Sequence, residues 1–314
     1  MKRTYEVDGT LGDHEEFLDE TEHLYHGIKI TRVREQAKSV ERFVMCRPEY
    51  LSTAIKNNVF MKGAPIDVPR ACQQYDRIKR AITTWDVPVL ELPPTKGCQD
   101  QTYTANIGVA IQPYVVLANM SAAGRDCEEP VAKKQFEDWG YQVIQPPYDF
   151  EGEADFKKWK PGHYFGSWGQ FTEQKALDWI ADKTGCTVIP IHVTSKKLYH
   201  LDCDLFVIDE QNFMVNPAGI DKASLRELEK WANLVIVPNE VADTGITNCV
   251  RIPGQPIILS GMLTAPELPA YRKSVEWLNK NLGDAFDLTC LFFDIDEADK
   301  SGADISCMVM HLDF

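Results

Sequence analysis

Apolar residues recur at helical spacing in five separate stretches of the chain. In each stretch they return every three or four positions, which places them on one face of a helix. Each stretch also has a tryptophan in or near its last turns: Trp85, Trp139, Trp179, Trp231 and Trp277. The pattern predicts five amphipathic helices, with the sequences VPRACQQYDRIKRAITTW, EPVAKKQFEDW, TEQKALDWIADKTG, KASLRELEKWAN and ELPAYRKSVEWLNKNLG.

A short apolar run follows each predicted helix. Several of the helices end at a glycine, such as Gly140, Gly185 or Gly283. The runs have the length and composition of strands, and they read VPVLEL, YQVIQPP, CTVIPI, LVIVPN and FDLTCLFF. Before three of the helices, two β-rich runs flank a turn sequence, as expected of a hairpin. These hairpins are ANIGVAIQPYVVLAN, DLFVIDEQNFMVNP and NCVRIPGQPIILSG.

The order hairpin, helix, strand repeats about five times, at intervals of roughly 45 to 55 residues that are typical of repeat folds and propellers. An open stack of such units would leave edge strands unpaired, whereas a closed ring would not. We therefore predict an α/β fold in which residues 37–314 form one domain, a five-bladed α/β propeller of pseudo-symmetric ββαβ modules. Residues 1–36 are polar and lack periodicity, which predicts an N-terminal arm. The alternative is an irregular α/β chain whose tryptophans fall on helix faces by chance.

Composition and charge narrow the classes of function. The 314 residues are 44% hydrophobic and 25% charged, as in ordinary globular proteins. The net charge of −14 argues against nucleic-acid binding, because phosphate contacts need clustered lysine and arginine, and it favours a cationic small ligand. No apolar run approaches the length of a bilayer span, and the N-terminal segment has no apolar signal core. We expect a cytoplasmic protein without a membrane partner. The sequence does not decide between a monomer and a homo-oligomer.

The nine cysteines are spread singly along the chain, and none belongs to a C-x-x-C pair. This spacing predicts neither a zinc site nor a disulfide framework. In a reducing compartment most of them would be small buried core residues, and one or two at most would be chemically special.

Polar side chains that could carry chemistry interrupt apolar runs at four places. They are Asn106 in YTANIGVAI, Glu151, Glu153 and Asp155 in YDFEGEADF, His200, Asp202 and Asp204 in LYHLDCDLFVID, and Cys307 in GADISCMVM. Cysteine, histidine and a carboxylate are the parts of a nucleophile, a general acid/base and its orienting partner. Taken singly, each residue is more often a core cysteine, a satisfied histidine or a solvated acidic loop. Their joint occurrence in a repeated ring fold, whose central pocket would be lined by strand ends, favours an enzyme.

The motifs resemble the guanidino-group-modifying enzymes of the pentein superfamily, which are five-bladed α/β propellers. YTANIGV resembles the Thr-Ala-Asn-x-Gly of the arginine dihydrolase-like branch, where deiminases carry an aspartate, and GRDCEEP resembles its Arg-x-x-Glu-Glu-Pro. FEGEAD, YHLD and GADISC match the branch's Phe-Glu-Gly-x-x-Asp, Tyr-His-Leu-Asp and Gly-Ala-x-x-x-Cys in the same order. FVMCRPEYL and NNVFM resemble the first strand and its loop. The resemblance runs from about Phe43 to the C-terminus.

The resemblance implies a role for each matched residue in catalysis. Cys307 would be the nucleophile and His200 the general acid/base. Glu151 would orient His200 and stabilise its imidazolium. Asn106 and Asp202 would hydrogen-bond the substrate's guanidinium group.

Three further residues are implied in substrate binding by the same motifs. Asn58 would face the pocket, and Asp155 ends the matched FEGEAD segment. Arg125 would either contact a substrate carboxylate or pair with Glu128 or Glu129.

One segment departs from the family pattern. The family's Gly-Phe-Arg-Thr-Glu, whose arginine helps hold the substrate α-carboxylate, reads GQFTE here, with Phe171 about where the arginine would stand. The loss of such a clamp would cost about 1.5–3 kcal/mol of discrimination for a free amino acid. Arg47 in MCRPEY would supply a clamp from another blade or form a surface ion pair, and the sequence leaves both open.

The sequence thus predicts a hydrolase that acts on a guanidine by covalent cysteine catalysis, with no metal or cofactor suggested. The leading reaction converts arginine into ornithine, ammonia and carbon dioxide, as a dihydrolase does. The alternatives are an arginine deiminase or dimethylarginine hydrolase that releases citrulline, an amidinotransferase in which an amine replaces water, and a non-catalytic binding protein.

Overall fold

The computed structural model describes residues 41–263 and 268–312, together with three short strands near the N-terminus. Those strands are β1 (Phe17–Asp19), β2 (Glu22–Tyr25) and β3 (Ile28–Thr31), and they pair with one another in an antiparallel sheet. The rest of the polar arm predicted for residues 1–36 lies outside the described residues.

The chain from Arg42 onward contains five further sheets of three strands each. In every one, the central strand pairs antiparallel with one neighbour and parallel with the other. The sheets are β18 (Met310–Leu312), β4 (Arg42–Cys46) and β5 (Val89–Leu92); β6 (Gly108–Ile111), β7 (Tyr114–Leu117) and β8 (Gln142–Ile144); β9 (Phe156–Lys160), β10 (His163–Trp168) and β11 (Thr187–His192); β12 (Leu205–Asp209), β13 (Asn212–Val215) and β14 (Asn233–Ile236); β15 (Val250–Arg251), β16 (Ile257–Met262) and β17 (Thr289–Asp294).

One helix connects the central strand of each sheet to its parallel neighbour. These helices are α1 (Val68–Thr84), α2 (Glu128–Asp138), α3 (Gln174–Thr184), α4 (Lys222–Leu228) and α6 (Leu268–Leu278). Two single-turn helices, α5 (Asn239–Ala242) and α7 (Asp296–Asp299), lie between these elements. The predicted α/β fold with five small modules is therefore confirmed.

Two features of the modules were not predicted. The hairpin of β9 and β10 reverses at Pro161 and Gly162, and Gly162 takes a positive φ of 72°. The first module lacks a local hairpin, because its antiparallel strand β18 comes from the C-terminal end and pairs with β4. This pairing joins the last described strand to the first module.

The helices bury the faces that the apolar spacing predicted. In α1 the side chain of Asp67 caps the N-terminus by accepting the Arg70 N–H at 3.1 Å, and Tyr75, Ile78 and Ile82 are buried along one face. Helix α4 ends at Leu228 rather than at the predicted Asn233. Trp231 therefore lies beyond the helix, and its side chain is 44% exposed. No helix in the described part of the chain is long and apolar enough to cross a membrane.

The apolar core is divided into five clusters, and each contains side chains from two successive modules. Phe165 of the third module, for example, packs edge-on against Phe213 of the fourth at 5.1 Å between ring centroids. The fifth and first modules share a cluster in the same way, with Leu259 and Phe43 among its members. The modules are thus held together by side-chain packing, at about 1.5–3 kcal/mol for each large apolar side chain removed from water.

Candidate active site

A pocket with about 420 Å³ of empty space, part of it open to solvent, contains most of the predicted site residues. Its lining consists of Asn57, Asn58, Asp100, Tyr103, Asn106, Ala122, Arg125, Glu151, Phe171, Tyr199, His200, Ser301, Gly302, Ala303 and Cys307. Six of these residues were predicted from the sequence as site residues. The lining is rich in carboxylate, amide and aromatic groups, which suits a planar cationic ligand.

Short turns at one repeated position of the fold carry the polar residues of the pocket. A 3₁₀ turn precedes the first strand in four modules, at Thr104–Ile107, Gly152–Asp155, Leu201–Cys203 and Ser306–Met308. Asn106 and Cys307 lie within their turns, whereas Glu151 and His200 immediately precede theirs. Successive modules therefore deliver different functional groups from equivalent places.

Gly152 allows two of these turns to touch. It has a positive φ of 61°, and a Cβ atom at this position would lie 2.6 Å from the Ala105 carbonyl oxygen and 2.7 Å from that of Asn106. The close approach lets the Asn106 amide donate to Glu151 Oε2 at 3.0 Å. Any larger residue at position 152 would push the carboxylate of Glu151 away from its partners.

Glu151 and His200 form a buried ion pair. His200 Nε2 lies 2.8 Å from Glu151 Oε2. Burial opposes the charge on His200, but Asp155 and Glu151 outweigh it and raise the pKa of the imidazole to about 9. Burial also opposes the charge on Glu151, yet the hydrogen bonds from His200 and Asn106 hold its pKa below the usual value. At neutral pH the pair is therefore an imidazolium and a carboxylate.

The environment of Cys307 disfavours its charged form, the thiolate. The side chain is 7% exposed, and its Sγ lies 3.9 Å from Asp202 Oδ2 and 3.5 Å from Asn248 Nδ2. Burial, and then the carboxylate of Asp202, raise the pKa of the thiol well above its usual value. Without a ligand the sulfur is therefore protonated. A bound cation beside Asp202 would compensate that carboxylate and allow the thiolate to form.

The candidate site contains no evident metal-ligand cluster: among the described residues, no group of three or more His, Cys, Asp and Glu side chains could hold a metal ion. What it does contain is an acid/base pair, a thiol and carboxylates around a small pocket. This set can hold a planar cation, attack it with sulfur and transfer protons.

Several known proteins that are similar to the chain in sequence or structure have names that describe enzymes of arginine or methylated arginine. No family model matches the chain. The bifunctional arginine dihydrolase/ornithine cyclodeaminase ArgZ of Synechocystis sp. is 28% identical over 193 residues, which are 60% of this chain and 27% of that protein. The N(G),N(G)-dimethylarginine dimethylaminohydrolase of Mycobacterium tuberculosis is 26% identical over 188 residues, 60% of this chain and 62% of that protein. The chain thus spans about a quarter of the first relative and under two thirds of the second.

The comparison with solved structures covers more of the chain than the comparison of sequences with these two relatives. The crystal structure of the N-terminal domain of ArgZ, covalently bound to a reaction intermediate, matches with a TM-score of 0.76 at 22% identity. The match covers 87% of this chain and 97% of that domain. The chain has the pentein fold. The resemblance that the motifs indicated is therefore confirmed.

Arg125, which lines the pocket, pairs with Glu128. Its Nε and Nη2 atoms donate to the two carboxylate oxygens at 2.9 Å each, and both side chains are buried. Nη2 also lies 3.5 Å from the carbonyl oxygens of Asp100 and Tyr103. Of the two predicted roles, the geometry fits the ion pair, although Arg125 also lines the pocket.

Three residues that were predicted to contact the substrate, Asp155, Asn58 and Arg47, have side chains that bond to other groups of the protein. Asp155 is not in the pocket lining, because its carboxylate accepts Ser167 Oγ and Thr172 Oγ1 at 2.6 Å each and the Leu201 N–H at 3.1 Å. It therefore holds the turn beside His200, and a direct substrate contact is not supported.

Asn58 lines the pocket, but its side chain is engaged locally. Its amide nitrogen donates to the Ser301 carbonyl oxygen at 2.9 Å, and its oxygen accepts the N–H groups of Phe60 and Met61. Arg47 lies outside the lining and forms a two-point ion pair with Asp76, with Nη2 and Oδ2 2.9 Å apart. The surface ion pair, rather than the clamp, fits its geometry.

Phe171 forms part of an aromatic wall of the pocket. Its ring lies 5.0 Å from that of Tyr199 and 5.8 Å from that of His200, measured between centroids. An uncharged ring therefore lies against His200 on this side of the pocket.

Asp100 and Asn248 are among the polar residues of the site that were missed in the sequence. Asp100 lines the pocket at 2% exposure, and its Oδ1 has no hydrogen-bond partner among the described residues. Asn248 contacts the sulfur of Cys307 from the turn before β15. Its position relative to the first strand of its module, equivalent to that of Asn106, is the signal that would have found it.

The cysteine spacing predicted no disulfide framework, and the described residues contain one disulfide bond. Cys98 and Cys127 are bonded, with their Cα atoms 5.8 Å apart and a separation of 29 positions in the sequence. The spacing gave no sign of this pair, since the two cysteines are brought together by the approach of the Asp100 loop to the start of α2. The bond joins the segments that carry Asp100 and Arg125.

Proposed function

We propose that the chain is a hydrolase that attacks the guanidino carbon of its substrate through Cys307. The leading reaction is the conversion of arginine into ornithine, ammonia and carbon dioxide. The observation that carries the proposal is the grouping of Cys307 and the His200–Glu151 ion pair around one pocket, with the carboxylate of Asp202 outside the pocket lining but 3.9 Å from the sulfur.

Substrate binding prepares the nucleophile in this proposal. A guanidinium carbon is a poor electrophile, so the planar cation must be held in line with the sulfur. Asp202 and Asn106 have suitable acceptor oxygens, since carboxylates and amides match the N–H groups of a guanidinium. The positive charge beside Cys307 offsets the carboxylate of Asp202, which favours release of the thiol proton to water.

The first half-reaction forms a covalent adduct. The thiolate adds to the guanidino carbon and forms a C–S bond. The imidazolium of His200 then gives its proton to one nitrogen, the C–N bond breaks, and ammonia leaves. A cationic S-alkylthiouronium group remains on Cys307, and His200 is left neutral.

The second half-reaction returns the enzyme to its starting state. Neutral His200 takes a proton from water, and the hydroxide adds to the same carbon. The C–S bond breaks, and the departing thiolate takes up the remaining proton, so that the sulfur is again a thiol and the product is a ureido compound. In a dihydrolase the ureido group is hydrolysed again, which gives the amine, carbon dioxide and a second ammonia.

We further infer that the five modules close into a propeller, as a single catalytic domain over residues 37–314. The pairing of β18 with β4 and the apolar cluster shared by the fifth and first modules support this closure. A closed ring would explain why turns from distant parts of the chain face one pocket.

A guanidine without an α-carboxylate is the second candidate substrate. Phe171 offers no charge to a carboxylate, and two donor atoms of Arg125 are already bound to Glu128. Agmatine represents this class, with a distal ammonium group in place of the amino acid.

Product analysis by mass spectrometry tests the proposal. Pure protein would be incubated with L-arginine, agmatine and methylated arginines. Ornithine with two ammonia per turnover would support the dihydrolase, citrulline alone would indicate a deiminase or dimethylarginine hydrolase, and turnover of agmatine alone would favour the second candidate. Turnover that depends on an added amine, with transfer of the amidino group, would identify an amidinotransferase. No reaction with any of them would contradict the proposal.

A further inference from the structure

The fifth module also delivers a polar side chain to the site. Asn248 lies two positions before β15, just as Asn106 lies two positions before β6. It is 1% exposed, and the preceding Thr247 is equally buried and donates its hydroxyl to the Cys203 carbonyl oxygen. The segment is therefore fixed in place beside the turn of Cys307.

The hydrogen bonds of Asn248 determine which end of its amide faces the sulfur. The Ser306 N–H can only donate, and it lies 2.7 Å from Asn248 Oδ1. The oxygen must therefore be the acceptor on that side, which leaves the NH2 group on the other. This group lies 3.5 Å from Cys307 Sγ and 3.8 Å from Cys203 Sγ, whereas Oδ1 lies 3.8 Å from Cys307 Sγ, so the nitrogen is the nearer of the two amide atoms to the nucleophile.

We propose that Asn248 is a thiolate-stabilising donor that also positions Cys307, a role that deepens the proposed covalent mechanism and rests on it. A hydrogen bond strengthens when its acceptor becomes charged, so the amide favours the sulfur anion over the neutral thiol. Asn248 also accepts a hydrogen bond from the backbone of Ser306, the residue before the nucleophile. This bond holds the amide at a fixed position relative to the sulfur.

The carboxylates around Cys307 oppose its charged form, whereas a backbone hydrogen bond at Asp304 and the amide of Asn248 favour it. Asp202 lies 3.9 Å from the sulfur, and its carboxylate disfavours a negative sulfur, as does that of Asp304. Tyr103, Tyr199 and Cys203 also interact with the sulfur electrostatically, and the imidazolium of His200 lies in the same pocket. Asn248 is an uncharged donor in direct contact with the sulfur, so its effect persists after the substrate cation has lost a nitrogen.

Two substitutions separate this role from a purely structural one. Asn248→Asp keeps an oxygen that can accept from Ser306 but loses the donor. Asn248→Ala loses both the acceptor and the donor, and adds no charge. The readout is the rate of iodoacetamide alkylation of the Cys307 peptide from pH 6 to 11, by mass spectrometry, which requires no substrate.

We expect both variants to shift the alkylation profile to higher pH, so that the rate at pH 7.5 falls about tenfold or more. An unchanged profile in Asn248→Asp would overturn the proposal, and so would a shift in Asn248→Asp with none in Asn248→Ala, because the added charge alone would then explain it. If Asn248→Ala does not fold, Asn248→Ser replaces it. Since the alkylation profile needs no guanidine, its result stands even if no turnover is found.

Discussion

The residues of the pocket belong to two groups that are held in different ways. The first group lies at the repeated turn before the first strand of a module. It contains Asn106, Glu151, His200 and Cys307, and Asn248 contacts Cys307 from the equivalent position although it is outside the pocket lining. The second group lies on connections whose length and shape differ between modules. It contains Asn57, Asp100, Arg125, Phe171 and Tyr199.

We expect the first group, on the repeated turns, to carry out the reaction, and the second group, on the variable loops, to select the substrate. The repeated turns touch one another, and their side chains bond mainly to each other, as Asn106 and His200 do through Glu151. The loops instead bring aromatic rings and an arginine already paired with Glu128. We expect changes in the turn group to affect the rate with every substrate, and changes in the loop group to alter which guanidine is used.

The largest effect is expected for the nucleophile. Cys307→Ser should lower turnover by at least about 1,000-fold while the far-UV circular dichroism spectrum stays the same, because serine is a far weaker nucleophile of similar size. Ammonia release measures the loss. Cys186→Ser is the matched control, since that half-buried cysteine lies outside the pocket. Equal activity in both variants would remove Cys307 from the reaction.

Glu151→Gln should reduce kcat about 100-fold with every accepted guanidine, because the imidazolium of His200 loses its partner. The pKa of His200, followed by NMR, should fall from about 9 towards its usual value. Glu153→Gln is the control: this buried carboxylate pairs with His311 at 2.5 Å and is not part of the pocket lining. If the two variants lost the same activity, the effect of Glu151 would be one of folding.

The same pair makes stability depend on pH. His200 has a raised pKa, so its stabilisation is complete below its unfolded value of 6.5 and is lost as pH rises through about 9. The loss amounts to about 3 kcal/mol at most. On the acid side, the lowered pKa of Glu151 means that its contribution is lost as pH falls below 4.5. The first effect is measured as the free energy of unfolding in urea, between pH 6.5 and 9, for the parent protein and for His200→Gln. If this free energy varied with pH in the same way in both proteins, the prediction would be contradicted.

The smallest effect concerns substrate choice. Phe171→Arg should raise kcat/KM for L-arginine relative to agmatine by about tenfold, because a guanidinium would then be available for the α-carboxylate. Phe171→Leu is the control, since it removes the ring without adding charge. An unchanged preference in Phe171→Arg would mean that the loop group does not select the substrate in this way.

The same division explains what could be predicted from the sequence. The five helices and their returning strands follow from apolar spacing, and the motifs around Glu151, His200 and Cys307 predicted residues that the structure brings to one pocket. The partner of β4 could not be predicted, because β18 is distant in sequence and only three residues long. The engagement of Asp155 and Asn58 by local donors, and the contact between Cys98 and Cys127, depend on how loops pack. Their spacing along the chain carries no information about that packing.

Reaction with 2-chloroacetamidine, followed by peptide mapping, tests the central claim most directly. The amidinium group of this probe resembles a guanidinium, and its chloromethyl carbon alkylates a nearby thiolate. The account predicts that Cys307 is modified much faster than the other free cysteines and much faster than by neutral 2-chloroacetamide, and that L-arginine slows the labelling. Equal labelling by both reagents, or modification of other cysteines while Cys307 stays intact, would contradict the claim that this pocket binds a guanidine beside a reactive sulfur.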